Sequence, residues 1–296
     1  MTIEIARDVG PAHIDIAYES LGDAHAPPVV LIMGLGSQLL GWPDGFCTEL
    51  VQRGLRVIRF DNRDVGQSTH VTGAPAPNAP AVLAGDNSSV SYTLSDMAGD
   101  TVGLLDALGI ASAHIVGASL GGFVAQTVAI EHPRRVRSLT SMLSSTGDRN
   151  VGQPHRKALA LFGGAPVTTR EAVVERMVEV FRVIGSPAYP FERDAVADRA
   201  GRAFDRSYDP LGMARQGIAV LASGDRTPRL RALAVPTLVI HGADDAMVDV
   251  SGGRATAAAI PGAELVVIDG MGHDLPRSLW PDFASRIAAL VHRSAL

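Results

Sequence analysis

Ser119 stands in the run His114-Ile115-Val116-Gly117-Ala118-Ser119-Leu120-Gly121-Gly122-Phe123, an apolar, strand-like stretch that breaks into glycine around a hydroxyl and resumes as a helical pattern ending at Pro133. A strand that turns sharply through a serine into a helix projects the hydroxyl from a strained backbone, where it can attack an electrophile. Such a turn has no room for side chains two residues before and two residues after the serine, and Gly117 and Gly121 meet that condition. A serine hydroxyl is nearly inert at neutral pH. The chemistry therefore needs a base to take its proton and a carboxylate to fix the base's tautomer and stabilise its cation.

Nine histidines compete for the role of base. His273 lies in Asp269-Gly270-Met271-Gly272-His273-Asp274, a glycine-rich loop directly after the last strand-like run, which suits a ring reaching over the edge of a sheet. His241 reads as the end of the preceding strand. His13, His25, His70, His132, His155 and His292 fall on termini, loops or helix ends, His114 opens the nucleophile strand, and none of these has a neighbouring constellation. The acid is expected after another strand, between Ser119 and His273 in the chain. Ile240-His241-Gly242-Ala243-Asp244-Asp245-Ala246-Met247-Val248 offers two carboxylates. With Gly242 closing the strand and Val248 packing back, Asp245 is placed to turn inward and Asp244 to remain a solvated turn residue.

A developing oxyanion needs preorganised N–H donors, commonly from the residue after the nucleophile and from the loop behind the first parallel strand. Leu120 is the first, and Leu35 in Met33-Gly34-Leu35-Gly36-Ser37 is assigned as the second, with Gly34 letting the backbone approach substrate. Trp42 is placed either to wall an acyl pocket or to pack on the core at a helix start. Met142, Ser144 and Ser145, after the next strand, are pocket-lining candidates, and Asp61 with Arg63 reads as a charged pair anchoring a loop.

These residues need a scaffold. Alternation at Ile3/Ile5 and Ile14/Ile16/Tyr18 predicts two antiparallel strands joined by a turn at Gly10-Pro11. Val29–Met33, Val57–Phe60, His114–Gly117 and Val136–Leu143 are short β-rich runs separated by helical segments at 42–54 and 93–108, the rhythm of parallel strands with crossover helices. From about Asp148 to Arg229 amphipathic helices take over, with Val173, Val174, Met177, Val180, Phe181 and Ile184 at helical spacing. Strands return at Pro236–Ile240 and Glu264–Ile268, and a helix from Leu279 to His292 closes the chain. The fold class is therefore α/β: a mostly parallel central sheet flanked by helices, in parts 1–147 and 231–296, with a helical cap at 148–230 inserted between strands 6 and 7. Ligands in such sheets bind beyond the carboxyl ends of the strands. Residues 71–91, with Pro75, Pro77 and Pro80, read as a long loop without periodicity.

Bulk properties narrow the function. A chain of 296 residues buries a core that needs no staple, and Cys47, the only cysteine, can form no intrachain disulfide. The amino terminus lacks a basic patch followed by an apolar stretch, and the longest apolar run, 28–36, is too short to cross a bilayer. A cytoplasmic protein without membrane insertion is expected. The net charge of −5, spread without blocks, argues against a nucleic-acid partner. Lys157 is the only lysine, which removes Schiff-base chemistry elsewhere and Ser-x-x-Lys catalysis at Ser119. Neither His-Glu-x-x-His nor a phosphate loop ending in Gly-Lys occurs, so no metal and no cofactor is expected.

Gly-x-Ser-x-Gly at 117–121, Gly-x-x-Asp at 242–245 and Gly-His at 272–273 resemble, in their order, the α/β-hydrolase fold enzymes over nearly the full chain. Met33-Gly34 through Gly41-Trp42-Pro43-Asp44, and Arg59-Phe60-Asp61-Asn62-Arg63-Asp64-Val65-Gly66-Gln67-Ser68, resemble the aclacinomycin methylesterase group of capped serine esterases. The resemblance implies a carboxylic ester hydrolase acting on a small-molecule ester without a cofactor. Carbon–carbon bond hydrolases and lactonases use the same apparatus, and a ligand receptor on a hydrolase fold is the alternative from another class. Dehalogenase and epoxide hydrolase chemistry is disfavoured because those enzymes carry a carboxylate where Ser119 stands. Met33 departs from the His that often precedes the oxyanion residue in the superfamily.

Overall fold

The computed structural model describes residues 2–162 and 167–294, so positions 163–166 of the expected cap, with residues 1, 295 and 296, lie outside the described residues. In chain order the elements are β1 (Glu4–Val9), β2 (Ile14–Leu21), β3 (Pro28–Ile32), α1 (Asp44–Gln52), β4 (Arg56–Phe60), α2 (Ala79–Leu83), α3 (Leu94–Ala107), β5 (Ala113–Ala118), α4 (Leu120–Glu131) and β6 (Val136–Met142). Then follow α5 (Arg156–Leu159), α6 (Arg170–Ile184), α7 (Arg193–Arg206), α8 (Pro210–Ser223), α9 (Thr227–Leu230), β7 (Thr237–Gly242), α10 (Ser251–Ala259), β8 (Glu264–Ile268) and α11 (Trp280–Arg293). One eight-stranded sheet runs β1-β2-β4-β3-β5-β6-β7-β8. The pairs β1/β2 and β2/β4 are antiparallel and every later pair is parallel.

Alternation along the parallel strands sends side chains into two cores. Val30, Ile32, Ile58, Ile115 and Leu139 face the layer of α3 and α4, whereas Val29, Leu31, Val57, Val116 and Ile240 face that of α1 and α11. Helix α3 begins where Asp96 reaches back to the Thr93 N–H at 2.8 Å, satisfying a donor that the helix itself cannot. The central strand β5 is buried along its whole length, which holds the turn after it rigid.

Within 71–91 the expectation of a structureless loop is corrected. Asn78 accepts the Ala81 N–H at 3.1 Å, and Pro80 in the first turn fits a helix start, so α2 forms and packs on α8 with Val82 buried. Helices α5 to α9 lie between β6 and β7 as a helical insertion. It reaches over the carboxyl ends of the strands, where the Ile184 carbonyl accepts the His273 N–H at 2.7 Å. Lys157 is exposed on α5, and Cys47 is buried on α1 beneath the sheet. No helix among the described residues is long and apolar enough to cross a membrane.

Candidate active site

Ser119 is the junction between β5 and α4, with φ 57° and ψ −122°, a conformation that L residues rarely adopt. The glycines around it explain how it is tolerated. A Cβ on Gly117 would lie 2.0 Å from the Gly121 carbonyl oxygen, and one on Gly121 would lie 1.9 Å from that of Ile32. The end of β6 and the residues after it clamp the turn: the Ser119 N–H donates to the Met142 carbonyl at 2.9 Å, and the Ser144 hydroxyl donates to the Ser119 carbonyl at 3.0 Å. The side chain is thereby aimed from the carboxyl end of the sheet.

His273 follows β8 and Asp245 follows β7, the two strands beyond β6. His273 Nε2 lies 3.0 Å from Ser119 Oγ, and its Nδ1 lies 2.7 Å from Asp245 Oδ2. An ionised carboxylate only accepts, so the proton belongs on Nδ1, and Nε2 is left with its lone pair toward the serine hydroxyl. The other Asp245 oxygen accepts the N–H groups of Met247 and Val248, each at 2.8 Å, which fixes the carboxylate. Burial by itself raises the Asp245 pKa, but the His273 and His241 imidazoles outweigh it and hold the carboxyl well below the usual range. Asp244 is exposed and turns away, accepting the Gly270 N–H at 2.9 Å and so linking the two loops.

His241, read from the sequence as a strand end, is fully buried with Nε2 2.7 Å from the Val248 carbonyl and 3.4 Å from Asp245 Oδ2. It closes the loop that carries Asp245. A Cβ on Gly34 would lie 3.1 Å from Ser119 Cβ, so the 33–37 loop rests directly against the nucleophile. Leu35 follows at that turn, and Leu120 is the first residue of α4, whose initial N–H groups have no intrahelical partner. The Met33 carbonyl accepts from Asn62 Nδ2 at 3.2 Å, which ties this loop to the one after β4.

Other expected residues fall elsewhere. Trp42 is fully buried and stacked on Phe46 with ring centroids 5.6 Å apart, so it packs the α1 core instead of walling a pocket. Met142 is likewise fully buried in that core and serves the site through its carbonyl, not as a substrate contact. Ser144 braces the nucleophile turn, and Ser145 is buried. Asp61 and Arg63 are not a mutual pair: Asp61 binds Arg206 of α7 at 2.8 Å, and Arg63 binds Asp100 of α3 through two contacts of 2.6 Å. The reason is directional, since each points to the opposite side of the loop after β4.

His70 also proves to have a constellation that its loop setting did not signal. Its ligand atom and those of Asp64 and Asp209 lie within 4.8 Å of one another. A cation already occupies that charge: Arg215 forms two 2.8 Å contacts to Asp64, the Tyr92 hydroxyl donates to Asp64 at 2.7 Å, and His70 Nδ1 meets Asp209 at 2.8 Å. Cys47 offers no rival nucleophile, because burial pushes its thiol up to about 12.

A family model described as alpha/beta hydrolase fold matches residues 27–276. The chain is 30% identical to rhodomycin D methylesterase DnrP of Streptomyces peucetius, over 92% of this chain and 93% of that protein. It is 32% identical to a 2-hydroxymuconate semialdehyde hydrolase of Pseudomonas putida, over 97% of this chain and 93% of that protein. Among solved structures, the enol-lactonase from Burkholderia xenovorans LB400 is similar with a TM-score of 0.73, covering 96% of this chain and 98% of that one at 22% identity, a likeness of fold. With the sheet order, the insertion between β6 and β7 and the match over most of its length, the chain belongs to the α/β-hydrolase fold family.

Proposed function

We propose that the protein is a serine carboxylesterase that hydrolyses small-molecule carboxylic esters, methyl esters among them, through an acyl-enzyme. The observation that carries this reading is the unbroken hydrogen-bonded chain from Ser119 Oγ through His273 to Asp245, at 3.0 and 2.7 Å. His273 Nε2 takes the hydroxyl proton as Oγ adds to the ester carbonyl, and the displaced electron pair comes to rest on the carbonyl oxygen. The N–H groups of Leu35 and Leu120 hold that oxyanion. Collapse restores the carbonyl, breaks the bond to the alcohol oxygen and returns the proton from His273 to the leaving alcohol. A water molecule then gives its proton to His273, adds to the acyl-enzyme and expels Ser119, which recovers its proton. Ester and water are consumed, acid and alcohol are formed, and no redox step enters.

The inclusion of methyl esters is supported by the similarity to the rhodomycin D methylesterase. A second reading, carbon–carbon bond hydrolysis by the same residues, is supported by the 32% identity to the semialdehyde hydrolase. A panel of p-nitrophenyl esters, polycyclic methyl esters and a vinylogous diketo acid separates the two. Turnover of p-nitrophenyl butyrate should fall on the order of 10⁶-fold in Ser119→Ala. A variant within tenfold of the wild-type rate overturns the assignment, and a single product event per molecule makes the protein a receptor.

A further inference from the structure

The segment after Leu35 is held by the helical insertion. The Gly36 N–H donates to Gln216 Oε1 on α8 at 2.9 Å, and Gln216 Nε2 donates to the Arg63 carbonyl at 2.8 Å. Gln38 Nε2 donates to the carbonyls of Ala203 and Ser207 at 2.8 and 2.9 Å, while Arg206 reaches Gln38 Oε1 at 2.6 Å. Gln216 is fully buried, and its two partners specify its orientation, since an N–H can only donate and a carbonyl only accept. Arg63, whose carbonyl receives it, is itself fixed by Asp100.

The Ser37 N–H closes a turn on the Gly34 carbonyl at 3.1 Å, and Gly36, third in that turn, adopts φ 66°, so the plane between Leu35 and Gly36 is the one that the turn's own hydrogen bond does not hold. The plane that carries the Gly36 N–H also carries the Leu35 carbonyl. Anchoring it fixes the ψ of Leu35 within the turn; the Leu35 N–H lies in the preceding plane, whose Gly34 carbonyl accepts from Ser37, so Gln216 acts on that N–H by holding the turn together.

We propose that Gln216 is a positioning residue that aims the Leu35 N–H at the oxyanion, so that the loop is competent only while α8 is docked. The inference rests on the reading of Leu35 as an oxyanion donor. It makes the insertion a part of the catalytic apparatus as well as a cover.

The test compares Gln216→Met with Gln216→Glu, using p-nitrophenyl butyrate and an alkyl trifluoromethyl ketone that forms a tetrahedral adduct on Ser119. Rates are normalised to active sites titrated with a fluorophosphonate, which removes misfolded protein from the comparison. In Gln216→Met, kcat per titrated site should fall about 10- to 100-fold, short of the ~10²–10³-fold of deleting a donor outright. KM should change less than about twofold and ketone affinity should fall in parallel with kcat. Gln216→Glu keeps an acceptor for the Gly36 N–H but needs a proton to face the Arg63 carbonyl, so its activity should approach wild type at acidic pH and decline as pH rises. An unchanged kcat per site, or a loss carried by KM with ketone affinity intact, overturns the proposal. Should the Met variant not fold, the pH dependence of the Glu variant decides the matter. Failure of the underlying reading is distinguishable, because it appears with Gln216 intact, as ketone affinity that Ser119→Ala leaves unchanged.

Discussion

Asp245 lies inside the protein with one oxygen on His273 and the other on two backbone N–H groups, so replacing its charge by an amide leaves the geometry in place and reverses one donor. Asp245→Asn should lower kcat by about 10⁴-fold by favouring the wrong His273 tautomer. Asp244→Asn, on an exposed turn, should leave it within about threefold, an effect typical of surface positions. Parallel rates of p-nitrophenyl butyrate hydrolysis check both, and the reverse order would move the role to Asp244. Because the folded-state pKa of Asp245 is depressed, its stabilising contribution is complete above about 3.8 and is lost only as pH falls through the lower folded value. The reacting residues were legible because their chemistry demands a type and a local spacing. Trp42 and Met142 were not, because whether an apolar side chain meets substrate or core depends on α11 and other elements far away in the chain.

At the scale of elements, the strands and the helices α1, α3, α4 and α11 could be read from periodicity to within a residue or two, while α10, a glycine- and alanine-rich helix with little apolar patterning, was missed and α2 was hidden in a proline-rich stretch whose Asn78 and Pro80 signal a helix only in combination. Across the seam between the loop after β4 and α8, His70 Nδ1 lies 2.8 Å from Asp209 and Nε2 3.0 Å from the Gly66 carbonyl, two acceptors that only the protonated ring satisfies together, with Arg215 and Asp64 close by. Partial burial works against protonation of His70, but Asp209 and the Gly66 carbonyl more than offset it and raise the pKa above 6.5. The contribution is therefore full below about pH 6.5 and fades as pH climbs through the higher folded value. His70→Leu should lower Tm by roughly 2–4 °C at pH 6. The deficit should narrow at pH 9, and thermal melts giving a pH-independent difference would refute the linkage.

For the molecule as a whole, the insertion and the sheet are joined by ion pairs, the half-buried Arg206 with buried Asp61 and the fully buried pair Arg215 with Asp64. Removing one partner strands the other without water, which costs about 3–5 kcal/mol for a buried pair. Arg215→Met should show that loss in urea unfolding, where wild type should melt in a single transition. A midpoint unchanged from wild type would mean that the pair is not buried in solution. None of these ties was visible beforehand, since Asp61 and Arg206 are 145 positions apart and no local pattern links them.

The lone exposed lysine on α5 and the lone cysteine sealed beneath the sheet leave the folded surface almost bare of strong side-chain nucleophiles. An activated ester that diffuses over such a surface finds water before it finds an amine or a thiol. Self-modification during turnover is thereby suppressed, and a serine-directed probe reports its target against little background.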